Sequence, residues 1–122
     1  MTKAAAIYKF WSSFNIPAYE ENNVPTDATY PYITYQFVSD KFDYDVAMTA
    51  SIYYRSSSDV QINAKAEEIG TFIDNIPKPQ KIDGGRMMIK RGSPFSTPMG
   101  DENDNLVKRR VLNIVVEYMT AH

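Results

Sequence analysis

The chain has 122 residues, a formal net charge of −2 and no cysteine. This length suits one domain, since compact domains commonly run about 100–150 residues. The lack of cysteine excludes disulfides and thiolate metal sites, and the small negative charge argues against a general nucleic-acid coat, which is normally basic. No stretch approaches the roughly 20 apolar residues of a membrane span, so we expect no membrane partner.

The first element in chain order is predicted to be a helix over residues 2–14. Apolar residues recur at helical spacing from Ala4 to Trp11 and predict one apolar stripe. Thr2 is placed to cap the helix start. Residues 17–31 form an acidic segment that contains prolines and shows no periodicity. This predicts an extended connection without regular structure.

A hairpin is predicted next. Residues 32–38 and 46–55 alternate apolar and polar side chains, as half-buried strands do. Residues 39–45 between them form the predicted tip. This tip carries two aromatic residues, Phe42 and Tyr44, in a charged setting.

The clearest local pattern predicts a second helix. Ser58 opens it with a capping-box sequence, and apolar residues follow at steps of four and three from Ile62 to Ile76. Charged residues lie off that stripe, so one face of the helix should rest on a sheet. Pro77 ends the helix.

The last part of the chain predicts two or three further strands, near residues 80–83, at 86–91 and at 107–120. Residues 92–105 lie between the last two as a long loop, and loops of that size are usually functional or disordered. The element order predicts a single α+β domain over residues 1–122. Its architecture is a mainly antiparallel sheet of about four or five strands with two helices packed on one face.

The sequence lacks the groups that build most catalytic sites. Its only histidine is His122, the last residue, so a nucleophile has no plausible base and zinc has no imidazole or thiolate ligands. Asp101 opens a segment with calcium-loop spacing, but Leu106 stands where glycine makes the turn and Leu112 where glutamate supplies two ligands. We therefore expect a non-enzymatic protein with no catalytic residues, no cofactor and no metal.

Basic residues concentrate near the second half of the predicted sheet. Six of the thirteen Lys and Arg residues lie between positions 86 and 110. If the strands around Lys90 and Lys108 pair, these charges gather near the base of the long loop. These residues either lie solvated at the strand end, balanced by the acidic residues of the loop, or they contact an acidic partner or a phosphate. The six are Arg86, Lys90, Arg91, Lys108, Arg109 and Arg110.

The two predicted tips carry aromatic residues and methionine, which are enriched at protein interfaces. The alternative is that these side chains fold back and cover the sheet edges. Loop position and residue type together select the candidate interface residues. They are Phe42, Asp43, Tyr44, Arg91, Phe95, Met99, Asp101, Asp104, Arg109 and Arg110.

Several segments across nearly the whole chain resemble a family of small tail proteins, the tail-terminator or tail-completion (head–tail joining) proteins of long-tailed bacteriophages and prophages of Gram-positive bacteria. None of these segments is a catalytic signature. They are Ile7-Tyr8-Lys9-Phe10-Trp11-Ser12-Ser13-Phe14, Ile16-Pro17-Ala18-Tyr19-Glu20-Glu21-Asn22, Val24-Pro25, Tyr30-Pro31-Tyr32-Ile33-Thr34-Tyr35, Thr49-Ala50-Ser51-Ile52-Tyr53-Tyr54-Arg55-Ser56, Arg91-Gly92-Ser93-Pro94-Phe95 and Leu112-Asn113-Ile114.

The resemblance implies a structural virion protein, assembled in the host bacterial cytoplasm. It implies a ring, usually hexameric, at the head-proximal end of the tail tube, where it stops polymerisation and joins the tail to the head connector. The implied partners are further copies of the chain, the tail tube protein and the connector protein, with genomic DNA only passing through the lumen. The residues themselves leave two alternatives open, another minor tail or head-closure subunit, and a small nucleic-acid-binding regulator that uses the basic residues.

Overall fold

The computed structural model describes residues 1–100 and 103–120. No helix in this part of the chain is long and apolar enough to cross a membrane. The elements in chain order are helix α1 (Lys3–Trp11), a 3-10 turn (Ser12–Phe14), strands β1 (Ala18–Glu20), β2 (Tyr32–Tyr35) and β3 (Tyr44–Arg55), helix α2 (Val60–Asp74), and strands β4 (Gln80–Ile82), β5 (Gly85–Gly100) and β6 (Val107–Thr120).

The strands form one sheet in the order β1-β2-β3-β6-β5-β4. Only β1 and β2 are parallel, and the other four pairings are antiparallel. The predicted α+β class and the mainly antiparallel sheet are confirmed. The predicted strand count was too low, because the sheet has six strands.

The strand that sequence reasoning missed is β1, inside the connection predicted to lack regular structure. Ala18 is buried, and β1 pairs in parallel with the start of β2. The backbone N–H of Ile33 also donates to the carbonyl of Pro17 at 2.8 Å. Three residues are too few to show an alternating pattern, so this strand is stabilised by its tertiary neighbour and has no local signature.

The predicted long loop over residues 92–105 is wrong for most of its length. Strand β5 continues through residues 96–100 after a register shift between Arg91 and Ser96, which marks a bulge. Two prolines in this segment argued against a strand, because proline has no backbone N–H to donate to the hydrogen bonds between strands. Beyond its short pairing with β4, however, β5 is an edge strand, where proline is tolerated. Pro98 pairs in register with Arg110 on its inner side.

The core lies between the two helices and one face of the sheet. The predicted inward positions of β6, from Leu112 to Tyr118, are all buried. The predicted apolar stripe of α2 is buried from Ile62 to Ile73, and the aromatic rings of α1 and of the 3-10 turn pack edge to face beside it. Both helices therefore contribute to one hydrophobic cluster on one side of the sheet.

The predicted helix caps differ in outcome. Thr2 caps α1 as expected, since its hydroxyl accepts from the backbone N–H of Ala5 at 3.1 Å. At α2 the N-cap residue is Asp59, and its side chain makes no capping hydrogen bond. The hydroxyl of Ser58 accepts from the N–H of Val60 instead, so the capping-box prediction was one residue out of place.

Candidate functional site: the open face of the sheet

The face of the sheet opposite the helices carries a row of large side chains across four strands. Tyr32 is the direct register partner of Tyr53, Tyr53 of Arg109, and Arg109 of Met99. Direct partners on paired strands project from the same face. The neighbouring residue Arg110 reaches α2, so Arg109 and its row point away from the helices. We call this side of the sheet the open face.

Stacked rings extend the row at its β2 end. The ring centroids of Tyr32 and Tyr53 lie 5.1 Å apart, and those of Tyr30 and Tyr32 lie 5.4 Å apart, both nearly parallel. Tyr19 approaches Tyr32 at 6.1 Å. Stacked aromatics add stabilisation beyond their buried area. We define the tyrosine–arginine row as Tyr30, Tyr32, Tyr53, Arg109 and Met99.

Arg109 lies beside the stacked tyrosines, and only part of its hydrogen-bonding capacity is used by the contacts described next. Its Cζ lies 5.4 Å from the ring centroid of Tyr53, within the range of a cation–π contact. Its Nε donates to the hydroxyl of Ser51 at 3.1 Å. Within residues 1–100 and 103–120 no carboxylate forms an ion pair with Arg109. The guanidinium is therefore positioned by its neighbours while its terminal nitrogens can bind another molecule.

A groove of about 440 Å³ runs along the row. Tyr32, Tyr53 and Arg109 contribute to its floor, and Glu21 and Val24 from the connection before β2 contribute to its wall. Burial, and then the neighbouring Tyr30, Tyr53 and Tyr19 in that order, raise the pKa of Tyr32. Its hydroxyl therefore stays protonated near neutral pH. The groove therefore presents hydrogen-bond donors from a hydroxyl and a guanidinium, and it is also lined by the acidic residue Glu21.

The far end of the open face carries charges of both signs. Asp45 and Glu117 are register partners, and both alternate with buried core residues, so they share the open face. Lys90 lies 3.4 Å from Glu117 and offsets one of these two charges. The side chains between the two ends are smaller, as with Ala47 and Val115. Arg86 of β5 and its register partner Lys81 of β4 alternate with buried residues and add two cations to the same face. This end of the open face is therefore mixed in charge, and the other end is aromatic and cationic.

The first predicted tip is held in place by contacts with the core. Phe42 is half-buried against the turn at Gly84 and Gly85, and the ammonium of Lys3 lies 4.4 Å from its ring centroid. A carboxylate oxygen of Asp43 accepts from the backbone N–H of Thr120 at 3.2 Å.

Tyr44 beside this tip is 55% exposed. Of the aromatic pair in the predicted tip, Tyr44 therefore presents the more accessible ring, and its role at an interface stays a prediction.

The second group of predicted residues, on β5, is divided by the bulge. Arg91 pairs with Asp74 of α2, and its guanidinium lies 4.7 Å from the ring centroid of Phe95, so both side chains face the helix. Met99 projects from the opposite, open face and is 48% exposed. The structure therefore brings Met99 and Arg109 together and places Arg91 and Phe95 on the other side of the sheet.

The remaining predicted residues make intramolecular contacts or lie outside the described part. Arg110 donates to Asn63 at 2.9 Å. Asp104 pairs with Arg55 at 3.0 Å. Asp101, also predicted as an interface residue, lies outside the described residues.

The predicted gathering of basic residues does not occur. The strands do pair, but Lys90 is opposite Val115 while Lys108 is opposite Gly100. Val115 and Lys108 are separated by about 23 Å of strand. Register along the two strands therefore disperses the basic residues.

The tyrosines of the row were not selected from the sequence. In β2 and β3 they occupy the polar phase of the alternation, where Tyr32 alternates with buried Ile33 and Tyr53 with buried Ile52. An aromatic residue at an outward strand position was the available signal. Their stacking depends on register between strands, and that is a tertiary property.

The chemistry of the open face suits binding to another macromolecule. Tyrosine and arginine are enriched among the residues that contribute most to protein interfaces. In the described ranges no group of three or more acidic or histidine side chains could hold a metal ion. Comparison of the chain with protein-family models and with curated proteins gave no match.

Proposed function

We propose that this protein is a structural subunit of a long-tailed bacteriophage, a tail terminator. It forms a ring, usually of six copies, on the head-proximal end of the tail tube. The ring stops tube polymerisation and joins the tail to the head connector, and genomic DNA passes through its lumen. Its partners are copies of itself, the tube protein and the connector protein.

The observation that carries this proposal is the position of two exposed side chains at opposite ends of one sheet. Tyr44 pairs in register with Tyr118 of β6, and Met99 pairs with Arg109 of the same strand. The distance from Tyr118 to Arg109 is about 30 Å along the strand. A terminator must bind the tube on one side and the connector on the other, and this geometry supplies a contact group for each.

The rest of the subunit suits lateral contacts within a ring. A closed ring needs two different, complementary patches on each copy. The open face differs at its two ends, since stacked tyrosines and Arg109 lie at one end and side chains of both charges lie at the other. Alternatives within the same particle are another minor tail subunit or a head-closure subunit, and these would use the same two ends.

The alternative from another class, a nucleic-acid-binding regulator, has less support. Arg91 and Lys90 pair with carboxylates, and Arg110 lies 3.7 Å from Asp59. Cations already paired release fewer counterions on binding phosphate. A duplex-DNA shift that weakens with salt would support this alternative.

The test is negative-stain imaging of the purified protein mixed with its tail-tube subunit. Rings at one end of each tube, and tubes of uncontrolled length without the protein, are the expected results. Met99→Asp and Tyr44→Asp should each abolish one junction, either tube capping or head joining. The matched control is Tyr8→Asp, because Tyr8 is 53% exposed but lies on α1. Normal, head-competent tails in the absence of the protein would reject the proposal.

A further inference from the structure

The two lateral edges of the sheet, at β1 and at β4, carry opposite charge. We infer that the segment Pro77-Lys78-Pro79 before β4 of one copy docks in the groove beside Glu21, which follows β1, of the next copy. This inference rests on the proposed function, because it assigns the self-contact of the ring to two named patches of the chain.

The edge at β1 is acidic. Residues 17–31, which contain β1 and the connection to β2, include Glu20, Glu21 and Asp27 and no lysine or arginine. The carboxylate of Glu20 accepts from the side-chain amides of two neighbouring asparagines, which leave its charge in place. Glu21 is exposed, and within the described ranges neither Glu21 nor Asp27 forms an ion pair.

The edge at β4 is cationic. Lys78 precedes β4 and Lys81 lies in it, with no acidic residue between Asp74 and Asp83. Both of these flanking acids already have cationic partners, at 2.8 Å and 2.9 Å. Arg86 of β5 is the register partner of Lys81 and adds a third cation. This edge therefore complements the acidic edge at β1.

The groove at the acidic edge selects an occupant that has both a cation and hydrogen-bond acceptors. Its charged lining residues are Glu21 and Arg109. Arg109 is held by Tyr53 and Ser51 and donates from its remaining nitrogens, and the hydroxyl of Tyr32 is a second donor. An ammonium group satisfies Glu21, while backbone carbonyls accept from the two donors. An acidic occupant would bind Arg109 but be repelled by Glu21.

The segment Pro77-Lys78-Pro79 supplies both kinds of group. Proline fixes φ, and a residue that precedes proline is restricted to extended conformations, so this segment loses little freedom on binding. Pro77 and Lys78 are exposed. In the part of the chain that the structure describes, the carbonyls of residues 77–79 accept no backbone hydrogen bond. Extended proline-rich segments bind grooves lined by aromatic residues in the same way.

The two patches must belong to different copies. Strands β1 and β4 are the outermost strands of the sheet, and the strands between them separate the two edges by about 24 Å. A contact between unlike patches is heterologous, so it closes into a ring or continues as a filament. Patches at opposite edges of one sheet suit the lateral contact that a ring requires.

The test is a reciprocal charge exchange between Glu21 and Lys78, read by light scattering of the purified full chain over a range of concentrations. Glu21→Lys and Lys78→Glu should each weaken self-association about tenfold or more, because like charges then face each other. An equimolar mixture of the two variants should recover it, since the reversed groove of one variant receives the reversed segment of the other. The double variant should recover it too.

The controls make the same changes of charge elsewhere on the surface. Glu67→Lys on α2 matches Glu21→Lys, and Lys41→Glu before β3 matches Lys78→Glu, because all four side chains belong to exposed residues. Both control variants should assemble as the parent does. Equal weakening of the controls would assign the effect to net charge and overturn the inference.

Other outcomes would also overturn it. These are a parent that stays monomeric at every concentration, a closed two-fold dimer, or a mixture that stays as weak as its components. Rings of Glu21→Lys that form but no longer cap tubes would assign the groove to the tube protein instead. Rings that follow the charge exchange but ignore tubes would reject the proposed function and retain the inference.

Discussion

Arg91 and Asp74 form a two-point ion pair across the surface of α2, with Nε 2.9 Å from Oδ1 and Nη2 2.8 Å from Oδ2. The guanidinium crosses the helix directly above Gly70. A Cβ added there would lie 2.5 Å from Nη2 of Arg91. The glycine within α2 therefore creates the space in which the bulged strand β5 contacts the helix.

The first prediction concerns Gly70→Ala. Alanine favours the helix by about 1 kcal/mol, but it displaces the guanidinium and disrupts an exposed pair worth up to about 1 kcal/mol. The net change in unfolding free energy should be small. The sharper measurement is a double-mutant cycle in urea. Asp74→Asn should destabilise the parent and have little effect in the Gly70→Ala background. An equal effect of Asp74→Asn in both backgrounds would contradict the role assigned to Gly70.

Gly85→Ala should destabilise the protein by about 2 kcal/mol or more, because the added Cβ meets rigid atoms. It would lie 2.1 Å from the carbonyl oxygen of Met119 and 2.6 Å from the ring of Phe42. Gly100→Ala is the matched control on the same strand, since no atom of the residues that the structure describes lies within 4 Å of its Cβ position. Thermal and urea unfolding of both variants would show the contrast. Equal stability of the two would refute the packing argument.

The raised pKa of Tyr118 predicts that the free energy of unfolding falls at alkaline pH. Burial raises its pKa to about 12 from 10.0, and its hydroxyl donates to the carbonyl of Val38 at 3.0 Å. The folded state favours the protonated form, so its contribution is complete below pH 10 and is lost as the pH rises through about 12. Urea unfolding from pH 8 to 12 should show this decline.

The control is Tyr118→Phe. It should be less stable than the parent by about 1 kcal/mol at neutral pH, since the hydrogen bond is lost. Its stability should also depend less on pH above 10. An unchanged alkaline slope in Tyr118→Phe would assign the decline to other groups.

The lowered pKa of Asp104 predicts that this residue contributes to the free energy of unfolding and that the contribution is lost at acidic pH. The backbone N–H of Leu106, and then Arg55, lower the pKa of Asp104 below 3.8. A lowered pKa in the folded state means that the stabilisation is present above about pH 4 and is lost on further acidification. Asp104→Asn should therefore flatten the fall in unfolding free energy between pH 4 and pH 2.

The partner substitution Arg55→Met separates the two causes. It removes the ion pair and leaves the backbone hydrogen bond of Asp104. The fall in unfolding free energy between pH 4 and pH 2 should therefore become smaller only in part. A full loss of the pH dependence in Arg55→Met would show that the ion pair alone lowers this pKa.

Sequence reasoning succeeded where the structural signal is local. The apolar stripes of the helices, and the alternation of β3 and β6, depend on residues a few positions apart. The apolar spacing from Ile62 to Ile73 predicted the buried face of α2, and the alternation from Leu112 to Tyr118 predicted the buried face of β6. It failed at β1 and at the second half of β5. These strands form because a neighbouring strand completes their hydrogen bonds.

The candidate surface was only partly accessible to sequence reasoning. Arg109 and Met99 were selected by residue type and position, and the structure places them side by side. Tyr32 and Tyr53 were treated as ordinary strand residues, because no sequence pattern states which residue will lie opposite. Arg109 and Arg110 were treated alike, yet adjacent residues of a strand project from opposite faces.

By itself the sequence determined the α+β class, the two helices, strands β3 and β6 and which of their faces are buried. Hydrophobic periodicity encodes these features within short segments. Only the tertiary structure decided the order of the strands, the extent of β5 and the alignment of tyrosines with Arg109 on an open face. Strand register fixes all three, and register depends on residues far apart in the chain meeting across the sheet.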